Sequence, residues 1–150
     1  MRVGQPAPDF RLHDQDGLER SLGEFLARGP VVLFFYPAAS TAGCTREACH
    51  FRDLAGEFAA AGASRLGVSM DSVAAQHDFA AANSFDYPLL SDPGGVVARQ
   101  YGVKRSLDLL RVKRTTFVID TDRAILEVIA SELAMQVHAD RALAALAARR

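Results

Sequence analysis

Residues 34–51 read FFYPAASTAGCTREACHF, and this stretch contains the only two cysteines of the chain, Cys44 and Cys49. Its apolar start is typical of the end of a buried strand, which stops at Pro37. Thr41 and the serine before it are good N-cap residues, because a hydroxyl can accept a hydrogen bond from a free first-turn amide. The stretch therefore predicts a strand, a short loop and a helix that carries both thiols.

The two cysteines occupy different faces of this predicted helix. With Thr41 as the cap, Cys44 falls in the first turn, where free amides and the positive end of the helix dipole favour an anion and hence a thiolate. Behind Cys44, apolar residues recur at spacings of three and four and form the core-facing stripe, namely Ala48, Phe51, Ala55 and Phe58. Cys49 lines up with polar residues instead, so we expect it near the surface.

A disulfide between these cysteines is incompatible with an intact helix. Five residues along an ideal helix separate two Cα atoms by roughly 8.6 Å. A disulfide needs Cα atoms within ~7 Å and converging Cβ vectors. Either the two thiols never pair, or the first turns of the helix unwind during a reaction cycle.

The rest of the chain alternates between strand and helix patterns. The predicted strands cover residues 31–36, 64–70, 115–120 and 124–130, and the predicted helices cover residues 44–61, 72–83, 94–101 and 139–148. This alternation indicates an α/β fold. Only three residues join the last two strands, so they should form an antiparallel hairpin and the sheet should be mixed. Residues 10–26 are expected to add a short edge hairpin or a helix.

Composition and length narrow the classes of function. At 150 residues the chain is expected to form a single domain over residues 1–150. A formal charge of −1 offers no electrostatic basis for binding nucleic acid or an anionic membrane. The start, MRVGQPAPDF, lacks a signal pattern, so a cytoplasmic location is expected. In a reducing compartment two cysteines are more often catalytic, redox-active or metal-binding than structural.

The combination Pro37-x-x-x-Thr41-x-x-Cys44, with Cys49 five residues on and RTTFVID beginning at Arg114, resembles the peroxiredoxins. The likeness is greatest to the peroxiredoxin Q subgroup, also called bacterioferritin comigratory protein. It extends over nearly the whole chain, from GQPAPDF through VVLFFYP and DYPLLSD to RTTFVID. The resemblance implies a thioredoxin-like α/β fold with a central mixed β-sheet flanked by helices.

The same resemblance implies an activity and a set of site residues. It predicts a thiol peroxidase that reduces hydrogen peroxide and organic hydroperoxides and needs no cofactor or metal. Cys44 would be the peroxidatic cysteine and Cys49 the resolving cysteine, with an intramolecular disulfide reduced by thioredoxin or a similar dithiol protein. Pro37, Thr41 and Arg114 occupy the matching active-site positions. A monomer is expected, with a weak dimer as the alternative.

One position departs from the subgroup pattern. Ala42 stands where the subgroup commonly has proline. Without that ring the loop before Cys44 is less restrained, because proline fixes φ. The small residues Ala42 and Gly43 are also expected to lower the cost of opening the helix.

Other interpretations of the two thiols remain open on the sequence. The same domain could be a redox sensor that passes its disulfide to a partner protein. Direct disulfide exchange is disfavoured because C-x4-C differs from the usual C-x-x-C spacing. A metal site formed by Cys44, Cys49 and His50 is disfavoured because three ligands within seven residues match no recognised spacing.

Several charged and titratable residues are expected on the surface. Arg46 and Glu47, beside Cys44, are predicted to form an exposed ion-pairing face, with a supporting role of Glu47 at the site as the alternative. The histidines at 13, 77 and 138 lie in polar surroundings and are interpreted as surface residues.

Overall fold

The computed structural model describes residues 1–106 and 111–149. Within these ranges the chain forms seven strands and six helices. In chain order they are β1 (Arg11–His13), β2 (Glu19–Ser21), α1 (Leu22–Leu26), β3 (Val31–Phe35), α2 (Ala42–Asp53), α3 (Ala55–Ala60), β4 (Ser64–Ser69), α4 (Val73–Asn83), β5 (Leu89–Ser91), α5 (Val96–Gln100), β6 (Thr115–Ile119), β7 (Ile125–Ala130) and α6 (Gln136–Ala147).

The described strands form one sheet in the order β2-β1-β5-β4-β3-β6-β7. At its centre β3 pairs in parallel with β4 and antiparallel with β6. The β6–β7 pair is the predicted antiparallel hairpin. Every residue of β3 and β6 is buried, as expected for strands covered on both faces. The predicted mixed α/β sheet is therefore confirmed.

Two hydrophobic clusters cover opposite faces of this sheet. One contains residues of α1, α5 and the N-terminal segment, and the other contains residues of α2, α4 and α6. In the second cluster the rings of Phe34 on β3 and Phe51 on α2 stack with centroids 4.2 Å apart. Alternate side chains of β3 thus enter different clusters, and Phe34 holds α2 against the sheet.

The cysteine helix and β5 differ from the sequence prediction. The helix predicted over residues 44–61 is divided at Leu54, where the backbone (φ −95°, ψ 21°) leaves the helical region, so α2 and α3 are separate. Near this break Arg65 Nη1 donates to the Phe51 carbonyl oxygen at 2.8 Å, in competition with the helix ladder. β5 was not predicted, because its three residues carry too little periodicity. The N-terminal segment forms both of the predicted alternatives, a short edge hairpin and a short helix.

The described residues include no helix that has both the length and the apolar character needed to cross a membrane.

Candidate active site

The loop between β3 and α2 places Thr41 at the start of the helix. Ser40 has a left-handed φ of 64°, and Thr41 has the extended backbone of an N-cap (φ −82°, ψ 155°). The predicted cap position is confirmed, but the predicted capping bond is wrong. The Thr41 hydroxyl donates to the Ala38 carbonyl oxygen at 2.8 Å, so it does not cap a first-turn amide.

Cys44 lies in the first turn of α2 and is buried, with 1% of its surface exposed. Arg114 Nη2 lies 3.3 Å from Cys44 Sγ, although 70 residues separate the two in sequence. The pairing of Phe35 with Thr115 across β3 and β6 explains this approach, because it puts the residue before β6 beside the strand end that leads to α2. The structure thus brings Cys44 and Arg114 together as predicted.

Glu47 is the first residue that sequence reasoning misplaced. The expectation of an exposed position holds for Arg46 but is wrong for Glu47, which is fully buried. Arg114 Nη1 donates to Glu47 Oε1 at 2.8 Å. Burial raises the pKa of Glu47 to about 8, although the charge of Arg114 acts in the opposite direction. The signal was present, since Glu47 follows Cys44 by three residues and shares its side of the helix.

His138 is the second misplaced residue, because it was expected on the surface and is completely buried on α6. Its Nε2 lies 2.8 Å from the Ser131 carbonyl oxygen and must donate there. Its Nδ1 lies 2.8 Å from Thr116 Oγ1 and 3.4 Å from Glu47 Oε2. Burial lowers the pKa of His138 and favours the neutral ring. The spacing of four to Ala142 would have indicated a buried face.

The other two histidines of that prediction, His13 and His77, are exposed as expected.

Arg114 is held from its backbone as well as its side chain. Its backbone N–H donates to Glu132 Oε1 at 2.9 Å, and this oxygen also accepts from Arg105 Nη2 at 3.0 Å. Burial opposes the guanidinium charge, but Glu47 and Cys44 together raise the pKa of Arg114 above its ordinary value. The site therefore contains a permanently charged fork that faces a carboxyl group and a sulfur.

Gly43 lies beside this fork in the first turn of α2. A Cβ atom at Gly43 would lie 3.4 Å from Arg114 Nη2 and 3.2 Å from Cε of Met135. The first distance is an ordinary van der Waals contact, and the second needs only a small shift of the flexible Met135 side chain.

Pro37 and Cys49 are the remaining predicted site residues. Pro37 is half-buried at the start of the loop, and its carbonyl oxygen accepts a hydrogen bond from Arg111 Nη1 at 3.1 Å. Cys49 is half-buried, as predicted, with Sγ 3.7 Å from Asn83 Oδ1. It lines a surface cavity of about 370 Å³ between α2 and the start of α6. Both cysteines are free thiols on one continuous helix.

Among residues 1–106 and 111–149 there is no group of three or more histidine, cysteine, aspartate or glutamate side chains placed to hold a metal ion.

Comparison with known proteins identifies this arrangement. The sequence model of the AhpC/TSA family matches residues 3–128. The crystal structure of peroxidoxin BcpB from Mycobacterium tuberculosis is 61% identical, covers 100% of this chain and 99% of its own, and superposes with a TM-score of 0.96. Peroxiredoxin Q, chloroplastic, from Oryza sativa subsp. japonica is 42% identical over 122 residues, which are 81% of this chain and 56% of the rice protein.

A structure of the Xanthomonas campestris bacterioferritin comigratory protein, described in terms of its alkyl peroxide reduction activity, is 33% identical. It covers 93% of this chain and 90% of its own, with a TM-score of 0.84. These likenesses confirm the predicted thioredoxin-like fold.

Proposed function

The chain belongs to the AhpC/TSA family and is a peroxidase oxidoreductase of the peroxiredoxin type, and from this premise we propose that Cys44 is its peroxidatic residue. Its substrates would be hydrogen peroxide and organic hydroperoxides. The observation that carries the proposal is the 3.3 Å contact between Arg114 Nη2 and Cys44 Sγ in a buried first helical turn.

In the first step the Cys44 thiolate attacks one oxygen of the hydroperoxide. An S–O bond forms, the O–O bond breaks, and the departing oxygen takes a proton and leaves as water or an alcohol. Making the thiol more acidic yields little rate by itself, because nucleophilicity falls as basicity falls. Most of the acceleration must come from stabilising the charge that develops on the oxygens. Arg114 is suited to this task, because its permanent charge can face both sulfur and oxygen.

Thr41 would orient the peroxide through its oxygen atom. Its hydroxyl proton is donated to the Ala38 carbonyl, so the remaining capacity of Thr41 Oγ1 is that of an acceptor. A hydroperoxide O–H can donate to that oxygen while its other oxygen faces Cys44. Half-buried Pro37 would restrict access of water to the thiolate.

Resolution would use Cys49. Its thiol attacks the sulfenic acid, an S–S bond forms, and water leaves. Because an intact α2 keeps the two Cα atoms too far apart for a disulfide, its first turns must unwind. Thioredoxin or a similar dithiol protein would then reduce the disulfide. We propose this cycle for a cytoplasmic, single-domain monomer.

The assignment of Cys44 is tested in a Cys49→Ser variant treated with limiting hydrogen peroxide and a dimedone-type trap. Mass spectrometry should find the trapped sulfenic acid on Cys44 within seconds. The matched control is Cys44→Ser, which should consume no peroxide and form no adduct. Rapid modification of Cys49 in that control would contradict the assignment.

The recycling step is tested with the wild-type chain, excess hydroperoxide, thioredoxin, thioredoxin reductase and NADPH. Sustained oxidation of NADPH is expected. A single oxidation event without recycling would favour the redox-sensor alternative.

A further inference from the structure

The loop that carries Pro37 and Thr41 is bonded to two side chains outside the cysteine helix. Asp71 Oδ2 accepts a hydrogen bond from the Ala39 backbone N–H at 2.7 Å. Asp71 Oδ1 pairs with Arg111 Nη1 at 2.9 Å, and the same nitrogen donates to the Pro37 carbonyl oxygen at 3.1 Å. Two backbone groups of the loop are therefore held by one ion pair.

Asp71 is itself fixed by two neighbouring strands. Ser69, the last residue of β4, donates from its hydroxyl to Asp71 Oδ2 at 2.6 Å and accepts from the Asp71 backbone N–H at 3.2 Å. Ser91, the last residue of β5, donates from its hydroxyl to the Asp71 carbonyl oxygen at 2.6 Å. The loop is thus anchored through Asp71 to the ends of two strands of the sheet.

The charge state of Asp71 suits this anchoring. Partial burial alone would raise the pKa of Asp71, but hydrogen bonds from Ser69, Arg111 and the Ala39 amide outweigh it and hold the pKa below its ordinary value. The carboxylate therefore stays ionised at neutral pH, where it can accept all three bonds.

We propose that Asp71 and Arg111 are positioning residues that hold the loop from Pro37 to Thr41 in the shape that binds peroxide. Their ion pair would restrain the loop in place of the proline that the subgroup commonly has at position 42. This inference rests on the proposed function, since it concerns the same peroxide step. Ser40 keeps a left-handed backbone within the loop, a conformation that needs support from its surroundings. Within residues 1–106 and 111–149 the side-chain hydrogen bonds of Asp71 and Arg111 go to the loop, to each other and to the end of β4, and not to Cys44 or Arg114, so the pair would act on the peroxide rather than on the thiolate.

The backbone at the junction is compatible with a proline at position 42. Thr41 has φ −82° and ψ 155°, within the extended region preferred before proline. Ala42 is the first helical residue, where the backbone N–H has no partner within the helix and proline is well tolerated. An Ala42→Pro substitution should therefore restrain the loop without disturbing α2.

The test compares the rate at which Cys44 reacts with peroxide and the rate at which an alkylating reagent modifies it. In Asp71→Asn the second-order rate constant of Cys44 with hydrogen peroxide, from stopped flow, should fall roughly tenfold to a hundredfold, the effect of a small displacement of a positioned group. Alkylation of Cys44 by iodoacetamide should stay within about twofold of wild type, because it does not use the loop. Arg111→Gln changes a side chain that is 31% exposed and leaves Asp71 in place. It should also slow the peroxide reaction while leaving the alkylation rate near that of wild type.

Rescue distinguishes positioning from general damage. Adding Ala42→Pro to Arg111→Gln should recover most of the lost peroxide rate. The matched control is Asp120→Asn, which breaks the 2.7 Å pair with Arg149 at the other end of β6 and should leave both rates unchanged.

Wild-type peroxide rates in Arg111→Gln would overturn the inference, as would equal losses in peroxide and iodoacetamide rates or a failure of Ala42→Pro to rescue. A wild-type chain with no peroxide reaction at Cys44 would overturn the proposed function and the inference together.

Discussion

Nδ1 of His138 lies 3.4 Å from Oε2 of Glu47, and both side chains are fully buried. Because Nε2 of His138 donates to the Ser131 carbonyl, the neutral ring presents Nδ1 as an acceptor. The Thr116 hydroxyl, 2.8 Å away, donates to that acceptor, so Glu47 Oε2 is buried without a hydrogen-bond partner among the described residues. A buried, unpartnered oxygen disfavours the charged carboxylate, in agreement with the burial that raises the pKa of Glu47 to about 8. The single Arg114 charge then faces the Cys44 sulfur without a second anion.

Glu47 should make the fold less stable as the pH rises through neutrality. Its pKa is raised from an ordinary 4.5 to about 8, so the folded chain keeps a proton that the unfolded chain releases in this range. The contribution of Glu47 is complete below about pH 4.5 and is lost as the pH rises to about 8. In Glu47→Gln this loss should disappear. Urea unfolding of the reduced protein at pH 5 and pH 8 measures the change in unfolding free energy. The control is Glu57→Gln, on an exposed face of α3.

A Glu47→Gln variant that loses as much stability over this range as wild type would contradict the assignment of a protonated Glu47.

His138 should act in the opposite direction, on the acid side. Burial lowers the pKa of His138 below its ordinary 6.5, so the stabilisation is complete above that value and is lost as the pH falls through the lowered pKa. Because His138→Gln lacks this loss, its unfolding free energy should rise relative to that of wild type as the pH falls from 7 to 5. Exposed His77→Gln is the control and should keep the wild-type slope. Equal slopes in all three proteins would argue against a neutral buried His138.

Arg114→Lys should slow the peroxide step by about a hundredfold, the usual effect of losing one donor that stabilises charge in the transition state. Lysine keeps the charge but cannot reach Glu47 and Cys44 together through a planar fork. Stopped-flow oxidation by hydrogen peroxide measures the change. The control Arg46→Lys alters an exposed arginine on α2, the helix that carries Cys44, and should react as wild type. A wild-type rate in Arg114→Lys would exclude the guanidinium from the mechanism.

Gly43→Ala should slow disulfide formation roughly twofold to fivefold while leaving the first oxidation unchanged, because alanine favours the helix that must open. Its Cβ would lie 3.2 Å from Cε of Met135, the flexible end of a side chain that can move aside. Quenched thiol labelling followed by mass spectrometry separates the two steps. Gly56→Ala on α3, where a Cβ meets nothing within 4 Å, is the control. Faster disulfide formation in Gly43→Ala would mean that opening of α2 is not limiting.

Local signals in the sequence predicted the framework of the site. Patterns within 20 residues predict the change from a strand to a helix around Pro37 and Thr41. They also predict that Cys44 is more deeply buried than Cys49. These signals are reliable because turn residues and hydrophobic periods act over short distances along the chain. Arg114 was selected only through family resemblance, since nothing local distinguishes it from an ordinary charge at a strand end.

The sequence alone determined the strand, the loop and the helix that carries the thiols, together with the alternating elements of an α/β sheet. The tertiary structure decided which polar residues are buried and what they contact. Pairing of β3 with β6 puts Arg114 beside Cys44, and packing of α6 on α2 puts His138 beside Glu47. Burial of a charged or titratable side chain depends on partners supplied by distant elements, and local periodicity carries no record of those partners.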